Sequence, residues 1–277
     1  MSRRTRFGRS VALVLIAGIV SFPAISSGEQ SVRFHASLTP KRPGRSTSAE
    51  FDIEIAGLRG GVPPPLIEAS VRYPAGLGLA LSGLGIDTCA RRTLELIGAR
   101  GCPSSSLMGE GSAVAEIQFG PEVVREAAQV SLLRTTEEKG QQLAMFFFVD
   151  GETPVSAQPI LNGLLAPASG PYGGRIDIAV PLIESLQGAS YVSLVQLHLV
   201  IGPHSLTYYE HVAGKFIPYH PRGLRLPDRC PRGGYRFALA LTFLDGSTGA
   251  AATSVPCQRI RRHNRGRAAH ARRPTGT

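Results

Sequence analysis

The chain contains no tryptophan, and only three of its 30 basic residues are lysine. Without tryptophan, a sugar site would lack its usual stacking residue. No Gly-x-Ser-x-Gly pentad occurs, which excludes the nucleophile elbow of an α/β-hydrolase. Helical periodicity never lasts beyond two or three turns, whereas 32 glycines and 21 prolines interrupt the chain at short intervals. What remains is a sequence of short strands and turns.

The N-terminus stands apart from that pattern. Arg3, Arg4, Arg6 and Arg9 precede the uncharged run VALVLIAGIVSF, and the small residues Ala24, Ser26, Ser27 and Gly28 follow it. A basic head, an apolar stretch and a small-residue end are the parts of a secretory signal peptide, with cleavage expected between Ser26 and Gly28. The run falls short of the roughly twenty apolar residues of a membrane anchor, so no transmembrane segment is expected after cleavage. The absence of cysteine near the cleavage point argues against a lipoprotein.

A formal charge of +10 suggests a nucleic-acid binder until the charges are located. The last twenty residues hold Arg259, Arg261, Arg262, Arg265, Arg267, Arg272 and Arg273 and no acid. Setting these and the four N-terminal arginines aside leaves nineteen bases against 20 acids, so residues 29–257 are close to neutral. Specific nucleic-acid binding is not expected. Residues 258–277 have too few apolar side chains to offset the entropy of ordering and read as a disordered basic tail. Its arginines are candidate contacts for an anionic polymer such as a cell-wall phosphate, with an unconstrained arginine-biased terminus as the plainer alternative.

Four cysteines in an exported chain imply two disulfides out of three possible pairings. Sequence distance favours Cys89 with Cys102 and Cys230 with Cys257. The first loop contains a short helix: Asp87 or Thr88 can cap it, Leu94 and Ile97 lie three apart, and Gly98 can end it. The second pairing needs a fold-back. In a simple hairpin about Asp245-Gly246, Cys257 would face roughly Arg236, so Gly233 and Gly234 must return the chain to bring Cys230 near.

Alternation fills the rest. SVRFHASLTP places Val32, Phe34, Ala36 and Leu38 on one face, and AEFDIEIA does the same with Ala49, Phe51, Ile53 and Ile55. A hairpin about Pro43-Gly44 sets Phe34 against Ile53 inside, and Arg33 against Glu54 and His35 against Asp52 outside. The Glu50, Asp52, Glu54 row then reads as a solvated strand face. PPLIEASVRYP, SAVAEIQFG, EAAQVSLLRT, QLAMFFFVDG, GRIDIAVP, YVSLVQLHLVIG, YRFALALTF and AAATSVPC predict further strands. LAMFFFVDG, with bulky residues in succession, predicts a central strand covered on both faces. The expected fold is an all-β antiparallel sandwich or jelly roll, as one elongated domain or, second, two packed sandwiches.

Candidate sites are sparse. Ser104, Ser105 and Ser106 follow Cys102-Pro103 and precede Gly109-x-Gly111, which suits a turn into a strand better than a nucleophile. His198, His204, His211 and His220 are spaced by six, seven and nine residues, matching no compact metal motif, and no cofactor is expected. Tyr208, Tyr209, His211 and Tyr219 form a possible binding surface for a wall polymer or an envelope protein. The expected function is that of a secreted or envelope-associated, non-catalytic binding or structural module. The competing class is an extracellular hydrolase assembled from His204, Glu210, His211 and the Glu50/Asp52/Glu54 row, which would have to converge in a cleft.

Two stretches carry a resemblance: the corner Cys-Pro-x-x-Ser-x-x-Gly-x-Gly-x-Ala from Cys102, with Ser105 or Ser106 in the serine place, and Cys-Pro-x-Gly-Gly-Tyr-x-Phe from Cys230. With PAGLGLALSGLGIDTC, FFFVDGETPVSAQ and YGGRIDIAVP in the same order, most of residues 31–257 resembles a group of exported proteins of high-GC Gram-positive bacteria. The resemblance implies export, disulfides and a β-rich fold, and it transfers no catalytic residue.

Overall fold

The computed structural model describes residues 29–78, 83–136, 144–152, 156–185, 190–204 and 206–258. The expected signal peptide and the tail arginines Arg259, Arg261, Arg262, Arg265, Arg267, Arg272 and Arg273 lie outside the described residues.

Alternating apolar residues give β1 (Ser31–Thr39), β2 (Ser46–Ala56) and β3 (Leu66–Pro74), and a short helix α1 (Arg91–Ile97) follows. The chain then runs through β4 (Leu107–Phe119), β5 (Glu122–Arg134), β6 (Ala144–Gly151), β7 (Ile160–Ala166) and β8 (Tyr172–Ala179). It ends with β9 (Ser193–Ile201), the ribbon β10 (Tyr208–Val212) and β11 (Lys215–Tyr219), the short β12 (Leu224–Arg225), and β13 (Tyr235–Phe243) with β14 (Thr248–Val255).

One antiparallel sheet has the order β1-β2-β9-β4-β5-β6-β7-β8-β3-β13-β14, with β12 added beside β2. Ten antiparallel pairings along this path leave β1 and β14 pointing the same way. Glu29 and Thr248 accordingly form a parallel bridge, and the Gln30 N–H donates to the Thr248 carbonyl at 2.8 Å. The sheet thereby curls into a nearly closed, barrel-like sandwich that buries one face of every long strand.

The first hairpin has the expected register: Phe34 pairs with Ile53, and Arg33 meets Glu54 at 3.1 Å. The last hairpin pairs Tyr235 with Val255 and Arg236 with Ser254. Ser254, and not Cys257, therefore faces Arg236, because the turn is shorter than expected and Phe243 accepts from Gly246 while donating to Ser247. Gly233 and Gly234, at φ 81° and 84°, turn the chain back so that Cys230 bonds Cys257 with their α-carbons 6.0 Å apart.

The other disulfide, Cys89–Cys102, has a Cα–Cα distance of 5.2 Å and closes the loop holding α1. Gly98, at φ 76°, ends the helix as expected, its N–H donating to the Leu94 carbonyl at 2.9 Å. The start differs from expectation. Ala90 is the N-cap and makes no side-chain cap bond, while Asp87 accepts a hydrogen bond from Ser105 Oγ. Leu94 is buried whereas Ile97 is 59% exposed, since one apolar residue per turn suffices for so short a helix.

This staple lies on the outside of β6. Ala144, Met145, Phe146, Phe147 and Phe148 are all buried. Met145 and Phe147 point into the main core, while Phe146 and Phe148 pack with Cys89, Leu94 and Leu133 beneath the helix. The run of phenylalanines thus serves two cores, one on each face. Two disulfides accord with an oxidising, extracellular environment, and among the described residues no helix is long and apolar enough to cross a membrane.

Candidate functional site

An antiparallel barrel of about eight strands is filled by its own side chains, and wider ones enclose space. The path here has eleven strands, and several inward positions carry only alanine: Ala113 and Ala115 on β4, Ala128 on β5 and Ala69 on β3. Wide closure and small residues together leave a cavity of about 210 Å³ inside the sheet.

Its walls are apolar. Phe34, Phe51, Phe147 and Phe237 project into it, with Ile53, Val71, Val130, Val149, Ile176, Ile178, Leu197, Leu199 and Leu239 between them. The lining continues through Pro159, Leu161, Pro181 and Ile183 to Leu182, which is 39% exposed. The lining therefore extends to described residues of the connections between β6 and β7 and between β8 and β9. Glu126, 5% exposed, is the one charged side chain of the lining among the described residues. Gly151 leaves room for it, since a β-carbon there would lie 2.5 Å from Oε1 of Glu126.

The sequence pattern did not reveal this cavity. Its signal was alanine at alternate inward positions of SAVAEIQ and EAAQV, legible only once the number of strands in the sheet is known.

The serine corner is structural. Ser105 and Ser106 are buried; Ser106 Oγ donates to the Pro103 carbonyl at 2.7 Å, and Ser105 Oγ donates to Asp87. The two glycines that follow exist for close packing. A β-carbon on Gly109 would overlap the carbonyl oxygen of Val200, and one on Gly111 that of His198, so β4 can approach β9 only without side chains there.

The expected aromatic surface divides between inside and outside. Tyr208 is fully buried, so it offers no binding face. Its hydroxyl donates to the Leu107 carbonyl and accepts from the Gly85 N–H at 3.0 Å, tying the ribbon to the serine corner. Burial pushes this phenol above its usual range, with the Gly85 hydrogen bond opposing the shift. Tyr219 is half-buried against it in an edge-on contact at 5.8 Å. Tyr209, at 55% exposure, and His211 remain on the outer face of the ribbon, where the Phe216 ring lies tilted against His211 at 5.1 Å. The β10–β11 hairpin itself was missed. Its cue was Ala213-Gly214, both at positive φ (49° and 80°), the turn geometry that matches strand twist.

The carboxylate row is also divided. Glu54 pairs with Arg33, whereas Asp52 Oδ1 lies 2.7 Å and Glu50 Oε1 4.0 Å from Nδ1 of His198 on β9. The row is therefore not merely solvated: its first two members, Glu50 and Asp52, face a histidine that hairpin reasoning could not supply, because β9 lies far away in sequence. Among the described residues, these three form the one group of three or more potential metal-ligating side chains, and His204, Glu210 and His211 stand outside it. No hydroxyl or thiol among the described residues is hydrogen-bonded to His198. The participants expected of a hydrolase thus do not converge.

Comparison with known protein families, with curated proteins and with solved structures finds no match to this chain.

Proposed function

We propose that this chain is an exported, disulfide-stabilised binding module that holds a small apolar molecule inside its barrel. The cavity is the observation that carries the reading. An apolar space of this size offers close dispersion contacts to an apolar molecule that fits it. An engineered cavity of about 150 Å³ admits benzene. The space here, about 210 Å³ and bordered by the part-exposed Leu182, suits a short alkyl chain or a bicyclic ring. The buried Glu126 gives the lining its one charged side chain among the described residues, within an otherwise largely apolar wall. Export is supported by the basic head and apolar run before Gly28 and by two disulfides, which persist outside the cytosol.

The test is titration of the mature protein with the fluorescent probe N-phenyl-1-naphthylamine. Saturable enhancement at one probe per chain is expected, with displacement by octanol. Filling the space with Ala113→Leu and Ala128→Leu should weaken the probe by about tenfold or more, as a methylene clash in a packed site does. Probe binding that never saturates, or that ignores both substitutions, contradicts the reading.

A further inference from the structure

We propose a divalent transition-metal site on the outer face of the sheet, formed by Glu50, Asp52 and His198. It is independent of the cavity, which lies on the opposite face of the same strands.

Glu50 and Asp52 are two apart on β2, so their side chains leave the same face. β9 pairs with β2 such that His198 stands directly beside Asp52. One donor atom from each residue falls within 4.8 Å of the others. A tetrahedral zinc ion takes nitrogen and carboxylate oxygen at about 2.0–2.2 Å, which separates its ligands by roughly 3.3 Å. Small side-chain rotations bring the present distances of 2.7 Å and 4.0 Å from His198 Nδ1 to that value.

Two further features favour a metal over an ion pair alone. Two carboxylates oppose a single imidazole, so a dication balances the group where a proton leaves it negative. Ser37 Oγ donates to Glu50 Oε2 at 3.0 Å, which turns the other oxygen, Oε1, towards His198 in the manner of an outer-shell partner. His35 pairs with Asp52 from the β1 side, in the same rung as His198, but stands outside the three-residue group. The three side chains are between 42% and 47% exposed, which leaves the site open to an entering ion. Binding replaces the Asp52–His198 hydrogen bond by two metal bonds, the imidazole carrying its proton on Nε2 so that Nδ1 coordinates.

The experiment is calorimetric titration of the mature protein, carrying no histidine tag, with zinc chloride. One zinc per chain is expected. His198→Ala and Asp52→Asn should each weaken binding by about tenfold or more. His198→Gln, which retains a hydrogen-bond donor beside Asp52, should lose as much, and His211→Ala on the ribbon should change nothing. No saturable zinc binding to the wild type, or binding that His198→Ala and Asp52→Asn leave within twofold, overturns the proposal. Probe binding in the barrel is read separately, so either site can fail alone.

Discussion

A β-carbon on Gly111 would overlap the carbonyl oxygen of His198 and lie 2.9 Å from the α-carbon of Leu199. β9 and β4 are the third and fourth strands of the sheet order, so this approach fixes the seam on which both the cavity wall and the outer-face histidine depend. Gly111→Ala is expected to cost about 1–3 kcal/mol, as overpacking does. Gly61→Ala is the matched control. Its β-carbon meets nothing nearer than 3.8 Å and its φ is negative, so the substitution should be neutral or slightly stabilising. Urea midpoints of the two variants check the contrast.

Tyr208 and Tyr235 are both fully buried, yet their hydroxyls differ. Tyr208 bridges Leu107 and Gly85, while the Tyr235 hydroxyl has no hydrogen-bond partner among the described residues. Tyr208→Phe should cost about 1–3 kcal/mol by stranding buried backbone groups, whereas Tyr235→Phe should be neutral or stabilising. Equilibrium unfolding of the two variants at neutral pH separates them.

Burial raises the phenol pKa of Tyr208, Tyr235 and Tyr73 above the ordinary value of 10.0. Each therefore favours the neutral form in the folded state. Their contribution is fully present below the unfolded value and is lost as pH rises through the higher folded values. Stability should fall steeply above about pH 10. Tyr235→Phe, which removes one such group, should flatten that fall; an unchanged alkaline slope would show that Tyr235 does not contribute.

The two disulfides have separable effects. Replacing Cys89 and Cys102 with serine should cost about 3 kcal/mol, and replacing Cys230 and Cys257 about 3.5 kcal/mol, in the chain-entropy picture. The first pair also holds α1 over Phe146 and Phe148, so its loss should expose that satellite core. Leu94→Ala should mimic this part by about 2–5 kcal/mol with the bridge intact. Unfolding midpoints, with protection of the β6 amides, report both.

Much of the fold was legible locally. The β1–β2 register, the two-faced β6 strand, the helix end at Gly98 and the cysteine pairing follow from period, charge pairing and turn residues close together in sequence. The misses are non-local. His198 joins Asp52 only because β9 inserts beside β2, and a hairpin read from residues 31–56 sees His35 opposite Asp52 instead. The sequence groups Tyr208, Tyr209, His211 and Tyr219 on one surface, but tertiary packing takes Tyr208 inside. The cavity depends on strand number and closure, which no single segment encodes.

Calorimetric titration of the mature protein with straight-chain alcohols of increasing length decides whether the barrel holds an apolar ligand. Burial in the barrel contributes about 0.8 kcal/mol for each methylene, so affinity should rise about fourfold per carbon and then level off once the space is full. A series with no dependence on chain length, or no binding at any length, would contradict the account.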